Sequence, residues 1–256
     1  DLGVPIRLHC CQGDFEVETM LARFGRTAPA WLASIGALRE GLLLPHGTHV
    51  RDGDLERIRD AGAVIVHCPL VMARYGAALA AFSTLKRQGL RIGLGTDTWP
   101  ADMLLNLQVG VLLDRVVTRD ALSVSAADYL DAATLGGADA LGRPELGRLA
   151  PGAAADFVVV DLAHDRVGLA VDPIRTLVIA GSGRDVVHSV IDGRVVMADR
   201  RIPGFDVAEE GARAQAQFDG LIARYPQRTW GHPPVEEIFP PSYPSRRPEP
   251  RPSSRA

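Results

Sequence analysis

Two histidines and one aspartate, each at the end of a short apolar run, are the residues of this 256-residue chain best suited to chemistry. They are His9, His46 and Asp97, and the runs that they end cover residues 4–9, 41–46 and 90–97. Such runs are typical of buried parallel strands. Parallel strands bring their carboxyl ends to one edge, where imidazole nitrogens and a carboxylate suit a divalent cation such as zinc. The pattern therefore predicts a metal site.

The elements that must position these residues alternate between apolar runs and helical patterns. Strands are predicted over 4–10, 41–46, 63–67 and 90–96, and helices over 14–25, 28–40, 52–61, 77–88, 102–116 and 125–142. This alternation predicts a parallel sheet with right-handed crossovers. Four βα units in about 120 residues amount to half of an eight-unit barrel. The predicted fold class is α/β: the C-terminal half of a (β/α)8 TIM-type barrel plus part of a composite β-sandwich.

The remainder of the chain predicts a small β-module and a tail. A strand is expected over 156–161, and the Asp192-Gly193 turn predicts a hairpin between 186–191 and 194–197. A last helix is expected over 206–224, followed by a Pro-rich stretch and an Arg-rich, disordered tail. The predicted domains are 1–143 (half-barrel), 144–204 (β-sandwich segment) and 205–256 (helix and tail).

Composition excludes several classes of function. Hydrophobic residues make up 46% of the chain and charged residues 23%, which is typical of globular proteins. A net charge of −3 gives no reason to expect a nucleic acid or membrane partner. The odd number of cysteines, Cys10, Cys11 and Cys68, argues against a disulfide framework. We therefore expect a cytoplasmic protein with a small-molecule substrate.

Several motifs, in this order, resemble the amidohydrolase superfamily, and most closely its cytosine deaminase and atrazine chlorohydrolase-like branch. They are Leu44-Pro-His46-Gly-Thr-His49, Val64-Ile-Val-His67-Cys-Pro69, Gly93-Leu-Gly-Thr-Asp97 and Gly147-Arg-Leu-Ala-Pro-Gly152 with the following apolar run. The resemblance covers about residues 4–204. It implies a metal-dependent barrel hydrolase that cleaves carbon–nitrogen, and sometimes carbon–chlorine, bonds of small, often heterocyclic substrates. The family's habit also implies a homo-oligomer.

The resemblance assigns a role to each candidate residue. It implies that His9 and His46 bind a divalent metal, zinc with iron as an alternative, and that His46 also orients the attacking water. It implies that Asp97 binds the metal and takes the proton from that water. The expected substrate contacts are Gln12, His49, His67, Arg74 and Trp99.

Two departures from the family pattern affect the expected function. Gln12 stands where the family has a glutamate that shuttles protons, and a neutral amide cannot act as a general acid. The family's His-X-His pair is absent from these 256 residues, and we expect it upstream of Asp1 in a longer protein. The sequence leaves open whether these residues alone are active. It also leaves open a catalytically inactive relative that serves as a binding or scaffold protein, and a barrel that transfers protons without a metal.

Overall fold

The computed structural model of the protein describes residues 4–169 and 171–243, in two units that meet in sequence at Arg201 and Ile202. The first unit contains a parallel sheet with its strands in chain order. These are β1 (Ile6–Arg7), β2 (Leu42–Pro45), β3 (Val64–His67) and β4 (Arg91–Leu94). Leu43 is paired with Val64, and Ile65 with Ile92. The parallel order confirms the predicted α/β class.

Each connection between neighbouring strands contains at least one helix, as the alternation of patterns predicts. The helices are α1 (Asp14–Phe24), α2 (Ala28–Ser34), α3 (Asp54–Asp60), α4 (Pro69–Arg74) and α5 (Phe82–Arg87), followed after β4 by α6 (Met103–Thr118), α7 (Ala126–Ala133) and α8 (Leu135–Ala140). Apolar side chains from both layers fill the core; Leu44 and Ile65 of the sheet and Val111 of α6 are fully buried. This packing fixes the strand ends that carry the candidate residues.

Some predicted boundaries were wrong. The helix expected over 28–40 ends at Ser34, because Gly36 takes the left-handed conformation (φ 72°). The helix expected over 77–88 begins at Phe82, whereas a helix begins at Pro69, where none was predicted. Proline is favoured in the first turn of a helix, so Pro69 was an available signal.

A second, antiparallel sheet follows in the same unit. It comprises β5 (Phe157–Val160), β6 (Val186–Ile191) and β7 (Arg194–Met197), with the unpredicted helix α9 (Pro173–Ala180) between β5 and β6. The predicted hairpin is confirmed, because Asp192 and Gly193 both adopt positive φ between β6 and β7. Several valines of this sheet are exposed, including Val158 (56%) and Val195 (62%).

The second unit, described up to residue 243, contains α10 (Val207–Arg228) and α11 (Val235–Ile238). The helix expected over 206–224 is present and extends four residues further, to Arg228. The Arg-rich tail that was expected to be disordered lies outside the described residues. In the part of the chain that the structure describes, no helix combines the length and apolar character needed to cross a membrane.

Candidate active site

The structure brings the three predicted ligands together beyond the carboxyl ends of the parallel strands. Nδ1 of His9 lies 2.9 Å from Nε2 of His46. The same His46 nitrogen lies 3.8 Å from Oδ2 of Asp97. His46 therefore stands between the other two groups, and its Nε2 atom is close both to a nitrogen of His9 and to a carboxylate oxygen of Asp97.

The backbone at two of these positions is unusual. His46 (φ 79°) and Asp97 (φ 57°) adopt the left-handed conformation, which is uncommon for residues other than glycine. The amide N–H of His46 donates to the carbonyl of Val66 at 3.0 Å, which fixes the turn beside β3. Such conformations persist only where the surroundings enforce them, and they cluster at functional sites.

His46 lies in a fully buried position, with an exposed fraction of 0%. Burial is the main cause that lowers its pKa; the proximity of His9 lowers it further, whereas Asp97 opposes the shift. Its Nδ1 atom has no hydrogen-bond partner among the described residues. Burial therefore favours the neutral imidazole, the form in which histidine binds metals.

Two residues that sequence reasoning missed position the loops of the site. The Glu16 carboxylate accepts the N–H groups of Cys11 (2.7 Å) and Gln12 (2.9 Å) after β1. Buried Asn106 accepts from the N–H of Leu70 (3.1 Å) and donates to the carbonyl of Gly95 (3.0 Å), two residues before Asp97. A signal existed for Glu16, because a glutamate three residues after a helix N-cap commonly reaches back to the preceding backbone. The sequence contained no such signal for Asn106.

A cavity of about 500 Å³ lies against the loops after β1 and β2. Gln12, Asp14 and His49 line one part of it, and Met72 and Tyr75 another. His49 Nδ1 lies 3.0 Å from Asp14 Oδ1, and this hydrogen bond is the main cause that lowers the pKa of Asp14. The predicted substrate residues Gln12 and His49 therefore share one cavity.

Two other predicted substrate residues contact each other. Arg74 donates from Nη1 to the carbonyl oxygen of Trp99 at 2.6 Å, and its guanidinium lies 4.6 Å from the centre of the Trp99 ring. Both side chains are exposed. The guanidinium is therefore engaged by Trp99, and neither residue lines the cavity beside Gln12.

The last predicted substrate residue, His67, lies in an apolar environment. Its ring is 2% exposed and stands 6.1 Å from the rings of both Phe82 and Tyr129. Burial lowers the pKa of His67 from 6.5 to about 3, so that it is neutral at physiological pH. His67 packs in the core, and the structure does not bring it to the cavity that Gln12 and His49 line.

Comparison with known proteins identifies the family. The model of the Amidohydrolase family matches residues 1–196. The chain belongs to the amidohydrolase family. A 5-methylthioadenosine/S-adenosylhomocysteine deaminase of Halobacterium salinarum is 32% identical over 228 residues, which cover 88% of this chain and 53% of that protein. The hydroxydechloroatrazine ethylaminohydrolase of Pseudomonas sp. strain ADP is also 32% identical, over 86% of this chain and 47% of its own length.

Solved structures agree with this assignment. A zinc-bound adenosine deaminase of Xanthomonas campestris superposes with a TM-score of 0.80 at 27% identity, over 85% of this chain and 51% of that one. A mutant atrazine chlorohydrolase of Arthrobacter aurescens, complexed with zinc and atraton, gives a TM-score of 0.76 at 26% identity, over 84% and 49%. The chain thus spans about half the length of the curated relatives it matches.

Proposed function

We propose that the protein that carries this chain is a metal-dependent hydrolase of carbon–nitrogen bonds in small, nitrogen-containing heterocycles. The observation that carries the proposal is the convergence of His9, His46 and Asp97, with His46 Nε2 2.9 Å from one and 3.8 Å from the other. The relatives support it, since they include deaminases of adenosine derivatives and an ethylaminohydrolase. In this proposal, residues 1–143 form the C-terminal half of the barrel and residues 144–204 a β-sandwich segment.

The residues present fit a divalent metal, with zinc as the first candidate and iron as the second. Two imidazole nitrogens and one carboxylate oxygen are a donor set that zinc prefers. The contact between His9 and His46 joins two nitrogens that would face a shared cation, and burial lowers the pKa of His46, which favours the neutral form that binds metals. When bound, a divalent metal makes water far more acidic, with a pKa near 7 instead of about 15.7.

The side chains of the chain have separate tasks in this proposal. Asp97, whose side chain is 14% exposed, takes the proton from the attacking water at a carboxylate oxygen and returns it to the leaving amine. His46 orients that water. Gln12, in the cavity, donates a hydrogen bond to the heterocycle but has no proton to transfer. The cavity beside it, with Met72 and Tyr75, receives the heterocycle's substituent.

Substitution of Asp97 by Asn tests the proposal in the full-length protein. We expect Asp97→Asn to lower kcat by about 100-fold or more, because a proton acceptor contributes about 10²–10⁴. Metal content, measured by elemental analysis of the purified protein, should fall as well. Suitable substrates are 5-methylthioadenosine, S-adenosylhomocysteine and amino- or chloro-substituted triazines, after the relatives' names.

Asp60→Asn is the matched control, because the Asp60 side chain is 68% exposed and pairs only with its neighbour Arg59 in the described structure. It should leave both turnover and metal content at the wild-type level. Wild-type turnover and metal content in Asp97→Asn would contradict the proposal.

A further inference from the structure

Two adjacent cysteines beside the candidate site form a cluster that the proposed reaction does not use. Cys10 and Cys11 are each 1% exposed, and their Sγ atoms lie 3.6 Å apart. A carboxylate oxygen of Glu16 completes the group, and the three donor atoms all lie within 4.8 Å of one another. Two sulfurs and one oxygen at this spacing could hold a single metal ion.

The separation of the sulfurs suits tetrahedral coordination. With zinc–sulfur bonds of about 2.3 Å, two thiolates on one tetrahedral cation are about 3.8 Å apart. The observed 3.6 Å is close to this value, so both sulfurs can bind one cation after little movement. Neighbouring residues are already joined by the chain, and no loop has to close to bring them together.

Glu16 can contribute to the site without losing its present contacts. Its two oxygens accept one backbone N–H each, from Cys11 and Gln12. A carboxylate offers about four lone-pair positions, so each oxygen retains capacity for a cation. The carboxylate also supplies negative charge beside the two sulfurs.

We propose that Cys10, Cys11 and Glu16 form a binding site for a thiophilic divalent cation, separate from the site of His9, His46 and Asp97. Binding forms two metal–sulfur bonds and releases the two thiol protons to solvent, with no change in oxidation state. The inference does not depend on the proposed hydrolase activity. Because both thiols are buried, we expect capture of the cation to be slow.

The site connects to the loop that carries His46. The carbonyl oxygen of Cys10 accepts from Gly47 N–H at 3.0 Å. The carbonyl oxygen of Cys11 accepts from the N–H groups of Thr48 (3.0 Å) and His49 (2.8 Å). A cation bound by the two cysteines would therefore stabilise the segment 47–49, and amide hydrogen exchange in that segment should slow on binding.

Cadmium titration of the reduced protein tests the inference. The signal is the ultraviolet absorption that appears when thiolates bind Cd²⁺, and the expected end point is one thiolate-bound Cd²⁺ per chain. Cys10→Ser and Cys11→Ser should each abolish this end point. Glu16→Gln should weaken Cd²⁺ binding by about 10-fold or more, because loss of even an outer-shell partner of a metal typically lowers affinity by about 10-fold. Circular dichroism verifies that each variant is folded.

Two controls make the outcome specific. Cys68→Ser removes the remaining free cysteine, which is outside the cluster, and should leave the end point unchanged. Asp97→Asn should also leave it unchanged, which separates this site from the proposed catalytic one. No thiolate absorption in the wild type, or an equal signal in Cys10→Ser and Cys11→Ser, would overturn the inference.

Discussion

Histidines at the ends of two neighbouring strands have different surroundings in this protein. His46, after β2, approaches His9 and Asp97, whereas His67, at the end of β3, packs against Phe82 and Tyr129. Both are buried, but only His46 has charged or metal-binding side chains beside it among the described contacts. The same residue type therefore belongs to the proposed metal site at one position and packs in the core at the other.

Replacement of His67 by Phe should change how stability depends on pH. The folded-state pKa of about 3 lies below the usual 6.5, so the unfolded chain binds a proton that the folded protein excludes. The free energy of unfolding therefore falls as the pH is lowered from 6.5 towards 3, by at most about 1.4 kcal/mol per pH unit for this one group. Above pH 6.5 this loss is absent. His67→Phe should remove that part of the acid sensitivity, as measured by urea denaturation across this range.

Tyr129→Phe is the control for this prediction. It removes the hydroxyl that lies 3.5 Å from His67 Nε2, but it removes no group that gains a proton in acid. The free energy of unfolding of Tyr129→Phe should therefore change with pH to the same extent as that of the wild type. The prediction is wrong if His67→Phe also runs parallel to the wild type.

The sequence predicted which residues lie at the candidate site, but it did not predict the hydrogen bonds that fix the loops around them. His9, His46 and Asp97 could be found because each ends an apolar run, and parallel strands share a carboxyl edge. The orientation of His67 could not be predicted, since strands buried on both faces show no alternation of polar and apolar residues. Asn106 could not be found either, because its two partners become neighbours only in the tertiary structure.

At the scale of the elements, close packing of α8 on β4 requires a glycine at position 136, because any Cβ atom there would meet the backbone of β4. A Cβ atom at Gly136 would lie 2.5 Å from the carbonyl oxygen of Ile92 in β4. At the next residue, Gly137, a Cβ atom would meet no atom within 4 Å. The two glycines belong to one helix but have different packing requirements.

Alanine substitutions should distinguish these two glycines. Gly136→Ala should lower the free energy of unfolding by about 1–3 kcal/mol, because backbone atoms of α8 and β4 must separate. Gly137→Ala is the matched control and should be neutral or stabilising by up to about 1 kcal/mol, because alanine is the better helix former. Thermal unfolding measures both. Equal shifts in Tm for the two variants would contradict the packing argument.

The order of most helices could be predicted from sequence patterns. The residues at which helices begin and end depend on the backbone conformation at single positions, such as Gly36 after α2. The strands and the hairpin at Asp192-Gly193 were found through apolar runs and turn residues. Helix α9 was missed although Asp172 and Pro173 form a typical helix start, in which the Asp172 side chain accepts from two backbone N–H groups. The chain therefore carries a local signal for the start of α9 in these two residues.

At the scale of the whole molecule, one edge of the parallel sheet carries exposed apolar side chains. Strand β1 is the first strand of the parallel sheet, and Val4, Ile6 and Leu8 are 57%, 49% and 45% exposed. Open strand edges with exposed apolar side chains promote association between chains. We therefore expect these 256 residues, when produced by themselves, to self-associate through this edge.

Replacement of Ile6 by Lys should reduce this association, because a charge on an edge strand opposes pairing with another strand. Sedimentation velocity over a range of protein concentrations should show larger species in the wild type and fewer in Ile6→Lys. Leu169→Lys changes an equally apolar residue that is 96% exposed but outside the strands, and it should behave as the wild type does. Equal association in Ile6→Lys and the wild type would show that the β1 edge is not the contact.

The left-handed backbone at His46 and Asp97 has a consequence for protein engineering. Idealised designed scaffolds avoid positive φ at residues other than glycine. If only the three side chains were introduced into such a scaffold, they would therefore point in other directions than they do in this protein. A successful graft would have to copy the turn after each strand together with the side chain. Histidine and aspartate are among the few residue types enriched at positive φ, whereas a β-branched residue there is a genuine outlier. The range of residue types at these two positions in related proteins should therefore be narrow for conformational reasons, even in relatives that lack the proposed activity.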